Sequence, residues 1–184
     1  MTRFRGSVVL LIAAALCGTA VAPAEAAVDF QCRLFSRNEV PALSTFGNGL
    51  FKATLNDDRN ELAWELTYTG LQGTVTQSHI HFAQAGVNGG IMVFLCSNLG
   101  NGPAGTQACP QSGTISGVAR AADVGSGANA QSIPPGSFFE FSRAVLQGVA
   151  YANLHSDVFP GGEIRCQIAH VESEGEGAET PAEE

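Results

Sequence analysis

His79 and His81, in Ser78-His79-Ile80-His81-Phe82, are the residues of this chain best suited to chemistry. In an extended strand alternate side chains share a face, so the two imidazoles stand together and Ile80 and Phe82 point the other way. Two imidazoles on one rigid strand make half of a metal site. A third, His155, ends Tyr151-Ala152-Asn153-Leu154-His155, where alternation puts Tyr151, Asn153 and His155 on one face. Three neutral imidazoles suit copper, zinc or nickel better than calcium or magnesium. They also leave a coordination position open for water or a small ligand. The expectation is one metal ion, copper first and zinc as the alternative, held by His79, His81 and His155. This requires the strands that carry them to be neighbours, which spacing alone does not establish.

Residues around these three have assignable roles. Asp157 follows His155 by two and can accept from an imidazole, fixing its tautomer, or can simply form a turn. Asn153 can orient a neighbour in the same way. Arg165 and Glu163 are two apart and can pair with each other or with Glu39. Arg165 can instead attract an anion. His170 is a candidate fourth ligand. Ser78 and Ser156 adjoin histidines in sequence, but strand neighbours face opposite ways, so neither forms a nucleophile–base pair.

The elements that must position these groups read as β-strands. Apolar and polar residues alternate over 28–35, and most clearly over 61–69, where Leu62, Trp64, Leu66 and Tyr68 oppose Glu61, Glu65 and Thr67. Further strands are expected at 49–55, 75–82, 91–96, 113–119, 149–155 and 163–169. Ala85-Gly86-Val87-Asn88-Gly89-Gly90 is read as a turn, with Asn88-Gly89 as its strongest hairpin signal, and 99–111 as a Gly/Pro loop. One helix is expected over 137–147, with Ser137 and Glu140 as a capping box and Gly148 as its stop. About eight short strands with one short helix imply an all-β fold, an antiparallel Greek-key β-sandwich of immunoglobulin-like or superoxide dismutase-like type.

The chain's 184 residues suffice for one domain. Arg3 and Arg5, an apolar stretch over 7–22 and Ala24-Glu25-Ala26 match a signal peptide over 1–26. Of the five cysteines, Cys32, Cys96, Cys109 and Cys166 lie beyond it. None has CxxC spacing, and an even number in an exported chain suggests disulfides. Of the three connectivities, Cys96–Cys109 would clip the Gly/Pro loop and Cys32–Cys166 would tie the first strand to the last. The expected location is secreted or periplasmic, with no membrane span in the mature chain. The net charge is −8. Glu172, Glu174, Glu176, Glu179, Glu183 and Glu184 crowd residues 171–184, expected to be a disordered acidic tail. No basic patch favours nucleic acid.

Three segments carry a resemblance: Asn38-Glu39-Val40-Pro41, His79-Ile80-His81-Phe82 with Ala85-Gly86-Val87-Asn88-Gly89, and Tyr151–His155 followed by Pro160-Gly161-Gly162-Glu163-Ile164-Arg165. In this order they resemble the CHRD domain, named after chordin, over about 30–168. The resemblance implies a secreted β-sandwich binding module spanning 28–170, whose partner would be an extracellular protein or a small ligand. A weaker likeness, in the HxH strand and in Gly162-Glu163-Ile164-Arg165-Cys166, is to copper/zinc superoxide dismutases, although the latter spacing differs by one. It implies an alternative, a copper-dependent oxidoreductase with Arg165 guiding the anion. Four histidines cannot fill a dinuclear site. A third alternative is a structural or protein-interaction domain without metal.

Overall fold

The computed structural model describes residues 26–171. The expected signal peptide and acidic tail, apart from Ala26 and Val171, lie outside them. The described chain contains β1 (Val28–Phe35), β2 (Asn48–Leu55), β3 (Leu62–Thr69), β4 (Val75–Phe82), β5 (Gly90–Ser97) and β6 (Gly113–Ala119). These are followed by α1 (Phe138–Leu146), β7 (Ala150–Ser156), β8 (Ile164–Gln167) and β9 (Ala169–His170). The fold is all-β with one short helix. The two expected layers are halves of one antiparallel sheet, ordered β5-β4-β7-β8-β1-β2-β3-β6 and curled almost into a barrel. β1 carries both β8 and the two-residue β9 on its outer side.

Alternation decides which side chains enter the interior. In β3, Leu62, Trp64, Leu66 and Tyr68 are buried, and the residues between them are exposed. They join Phe51 and Leu55 of β2, Ile80 of β4 and Leu154 of β7 in one apolar cluster that spans both halves. Burial of this kind contributes about 25 cal/mol per Å² of apolar surface and is the main force closing the sheet. The free edges, β5 and β6, are not paired by a ladder. Gln107 bridges them instead, its Nε2 donating to the carbonyls of Leu95 (3.2 Å) and Ser116 (3.0 Å). A side-chain amide thus satisfies backbone that an open edge would leave bare.

Both disulfides pair as expected. Cys32–Cys166 joins β1 to β8, and Cys96–Cys109 closes the loop after β5. Two local expectations fail. Ser137 stands at the N-cap of α1 without a capping hydrogen bond, and Glu140 pairs with Arg143 (2.8 Å) instead. The chain between β4 and β5 turns at Ala85-Gly86, with Gly86 at φ +77°, and not at Asn88-Gly89. β1 ends at Phe35 as expected and is followed by a 3-10 turn over Ser36–Asn38. Among the described residues, no helix is long and apolar enough to cross a membrane.

Candidate metal centre

β4 and β7 are hydrogen-bonded neighbours, and this adjacency brings the three histidines together. In their register His81 faces Tyr151, His79 faces Asn153, and Gln77 faces His155. The β4–β5 pairing shifts register on both sides of His79 and Ile80. Such irregularities re-aim side chains beside functional sites. Opposite His79 on β5 stands Phe94, packed edge to face at 4.4 Å between ring centroids. His79 is fully buried, and His81 and His155 are 7% and 6% exposed. One candidate ligand atom from each lies within 4.8 Å of the others, and these are the only three metal-capable side chains so grouped among the described residues.

Backbone carbonyls fix two of the rings. His81 Nδ1 lies 3.0 Å from the Gly89 carbonyl, and His155 Nδ1 lies 2.9 Å from the Pro160 carbonyl. A carbonyl only accepts, so both Nδ1 atoms carry the proton and both Nε2 atoms carry the lone pair. His79 turns its Nδ1 toward His155 Nε2, 3.2 Å away. Two nitrogens bound tetrahedrally to one ion at about 2.05 Å are about 3.3 Å apart, so this separation matches one edge of a metal site. The Nε2 atoms of His79 and His81 are buried without a protein partner. Uncompensated buried acceptors are destabilising, and a cation shared by the cluster would satisfy the one on His81.

Burial also keeps the cluster neutral. Desolvation, and then the neighbouring imidazoles of His155 and His81, pushes His79 down to about 2. Desolvation takes His81 down to about 4 against the opposing pull of the Gly89 carbonyl, and lowers His155 as well. The three rings therefore stay neutral at neutral pH, and none has to lose a positive charge before it can ligate.

A second group of residues holds these loops. The Tyr151 ring stacks on His81 at 4.7 Å, and its hydroxyl accepts the Gly89 N–H (3.1 Å). Gly89 thus grips both rings, and nothing larger fits there: a Cβ would stand 1.8 Å from the Phe82 carbonyl oxygen. β8 lies on the other side of β7, and its Arg165 covers the Tyr151 ring at 3.5 Å. Arg165 donates to the Val87 carbonyl and to Asn88 Oδ1, while Asn88 Nδ2 donates to the Val40 carbonyl. Glu39, 6% exposed, accepts from Asn153 Nδ2 at 2.7 Å. Burial raises its carboxyl to about 7, and the Arg165 charge opposes that rise.

Several anticipated roles fall elsewhere. His170 is exposed on β9, its ring tilted against Phe30 and its Nε2 on the Leu146 carbonyl, and it is not part of the cluster. β9 pairs with β1, and this carries it away from β4 and β7. Asp157 accepts the Thr74 N–H (2.7 Å) and leaves His155 to the Pro160 carbonyl. Glu163 does not pair with Arg165. It is fully buried and accepts from the Gln72 N–H and the Ser156 hydroxyl, each at 2.6 Å. Arg165 is 2% exposed and committed to one loop and one ring, so it offers no open charge to an anion. Gly89 and the Pro160 carbonyl were not anticipated as holders of the rings. Alternation with His155 was the signal for Tyr151, but it did not reveal the stacking.

The family model for the CHRD domain matches residues 30–168. These bounds take in every residue of the cluster and of the loops that orient it. No curated protein and no solved structure matches the chain.

Proposed function

The chain belongs to the CHRD-domain family, and on that premise we propose that it is an exported binding module whose buried histidine cluster holds one copper ion. His79, His81 and His155 are the ligands. The observation that carries this is the convergence of three buried imidazoles with a ligand atom of each within 4.8 Å of the others, His79 Nδ1 facing His155 Nε2 at 3.2 Å and His81 Nε2 left without a protein partner. The donor set is three neutral imidazoles with no thiolate or carboxylate among them. Copper binds such nitrogen sites most tightly among the divalent first-row metals, and zinc is the next choice. Two disulfides favour an oxidising compartment. Copper held this way can be stored, delivered or used as structural support. The oxidoreductase alternative asks Arg165 to draw an anion toward the metal, and the buried, fully engaged guanidinium gives it no support.

The test is calorimetric titration of the full chain with copper and with zinc, beside the His79→Ala/His81→Ala double variant. Tight one-to-one binding that disappears in the variant is the expected result. Binding unchanged in the variant, or no binding by the wild type, would show that the cluster is not a metal site and would move the search to protein and glycan partners.

A further inference from the structure

The hydrogen bonds of the cluster leave a mismatch that one change of tautomer removes. His79 Nδ1 lies 3.2 Å from His155 Nε2. Because the Pro160 carbonyl holds the proton of His155 on Nδ1, His155 Nε2 can only accept. His79 must therefore donate from Nδ1, and its Nε2 is left as a bare acceptor, buried and unpartnered. Directly across the strand pair stands Asn153, on the same face of the sheet. Its amide nitrogen is spent on Glu39 (2.7 Å), and its Oδ1 is likewise a buried acceptor with no partner. Two orphaned acceptors on facing residues cannot bond to each other.

We propose that metal loading switches His79 from its Nδ1–H to its Nε2–H tautomer, and that Asn153 Oδ1 then accepts the new N–H. Asn153 is thereby a positioning residue for the metal, with Glu39 anchoring the other end of its amide. This rests on the metal reading above. Nδ1 is the nitrogen that His79 turns toward His155, so it is the atom that shares the ion with His155 Nε2. The proton lost from Nδ1 is balanced by one gained at Nε2, the ring stays neutral, and this ligand releases no net proton. Ligating histidines commonly donate their second N–H to such a partner, and losing it weakens binding by about 10–100-fold. Gly162 leaves the room this arrangement needs. A Cβ there would stand 2.4 Å from Asn153 Nδ2 and 2.8 Å from the Glu39 carboxylate oxygens.

The experiment uses zinc, which is diamagnetic, on the ¹⁵N-labelled full chain. Long-range imidazole ¹H–¹⁵N correlations should show His79 protonated on Nδ1 without metal, and zinc-bound on Nδ1 with a proton on Nε2 after loading. His81 and His155 should keep Nδ1–H and bind through Nε2. In parallel, Asn153→Leu should weaken zinc binding about 10–100-fold at unchanged stoichiometry. The Glu39→Gln/Asn153→Asp pair, which keeps an acceptor at 153 and a donor at 39, should recover the lost affinity. His79 binding zinc through Nε2, or an Asn153→Leu variant that binds as tightly as wild type, overturns this inference and leaves the metal site standing. Wild-type protein that binds no zinc overturns both. If the leucine variant does not fold, the wild-type tautomers still decide.

Discussion

Acid should unfold the metal-free protein through the same histidines, with Glu39 working in the opposite direction. His79 and His81 have folded values of about 2 and about 4 against 6.5 when unfolded, while Glu39 has about 7 against 4.5. Above pH 6.5 the imidazoles are neutral in both states and contribute nothing pH-dependent. Between pH 6.5 and 4.5 the unfolded chain holds one more proton on each of the two histidines and one fewer on Glu39. The net difference is 2 − 1 = 1 proton, so stability falls by about 1.4 kcal/mol for each pH unit of acidification. That is about 3 kcal/mol across the window, a large share of the 5–15 kcal/mol typical of a domain. His155, also lowered by burial, adds in the same direction. From pH 6.5 to about 7 only Glu39 still titrates in the folded state, and it costs stability as pH rises, so the maximum lies near pH 6.5. The assay is urea unfolding in excess chelator at half-unit pH steps, on wild type and Glu39→Gln. The glutamine variant removes the opposing proton, so its slope should be steeper by about 1.4 kcal/mol per pH unit, whatever His155 contributes. Equal slopes in the two proteins, or wild-type stability that does not fall below pH 6.5, would refute the picture of a buried neutral cluster beside a buried carboxyl.

Three further outcomes follow from the surrounding contacts. Arg165→Met should cost about 1–3 kcal/mol in chemical denaturation for each buried acceptor it strands, because it unpairs the Val87 and Asn88 oxygens. Arg165→Lys should recover little of this, since an ammonium has neither the fork for the loop nor the plane for Tyr151. Gly89→Ala should weaken zinc binding at least about 10-fold in calorimetry, because the added Cβ must push Gly89 off the Phe82 carbonyl and take the His81 anchor with it. Replacing each cysteine pair by serine should separate the two disulfides by thermal or urea unfolding. Losing Cys96–Cys109, which closes a separation of 13, should cost about 3 kcal/mol, and losing Cys32–Cys166, which closes 134, about 5.

The strands were legible wherever one face meets the core and the other meets water. β3 alternates cleanly, and β1 and β6 fall on the expected residues, because period two is written directly into residue type; β4 also has its expected bounds, although it is buried on both faces around the histidines. Alternation also placed His79 beside His81 and put Tyr151, Asn153 and His155 on one face. It could not supply the pairing of β4 with β7, since those strands are separated by two others, a long loop and a helix. Pairing depends on how the sheet closes, which is a property of the whole core. The helix was found, but its capping box was not used: Glu140 met Arg143 one turn on, and local charge outcompeted the reach back to Ser137.

The misassigned partners share a physical cause. Asp157 was a reasonable acceptor for His155 by spacing, and His170 a reasonable ligand by type. In both cases backbone took the role or set the position. Pro160 and Gly89 offer carbonyls that no residue-type argument can single out, because every residue has one. What residue type does encode is where backbone is able to come close. Gly89 and Gly162 sit at the two places where a Cβ would collide with the Phe82 carbonyl and with the Glu39–Asn153 pair. Gly89 and Gly162 are therefore part of the histidine site as much as the imidazoles are.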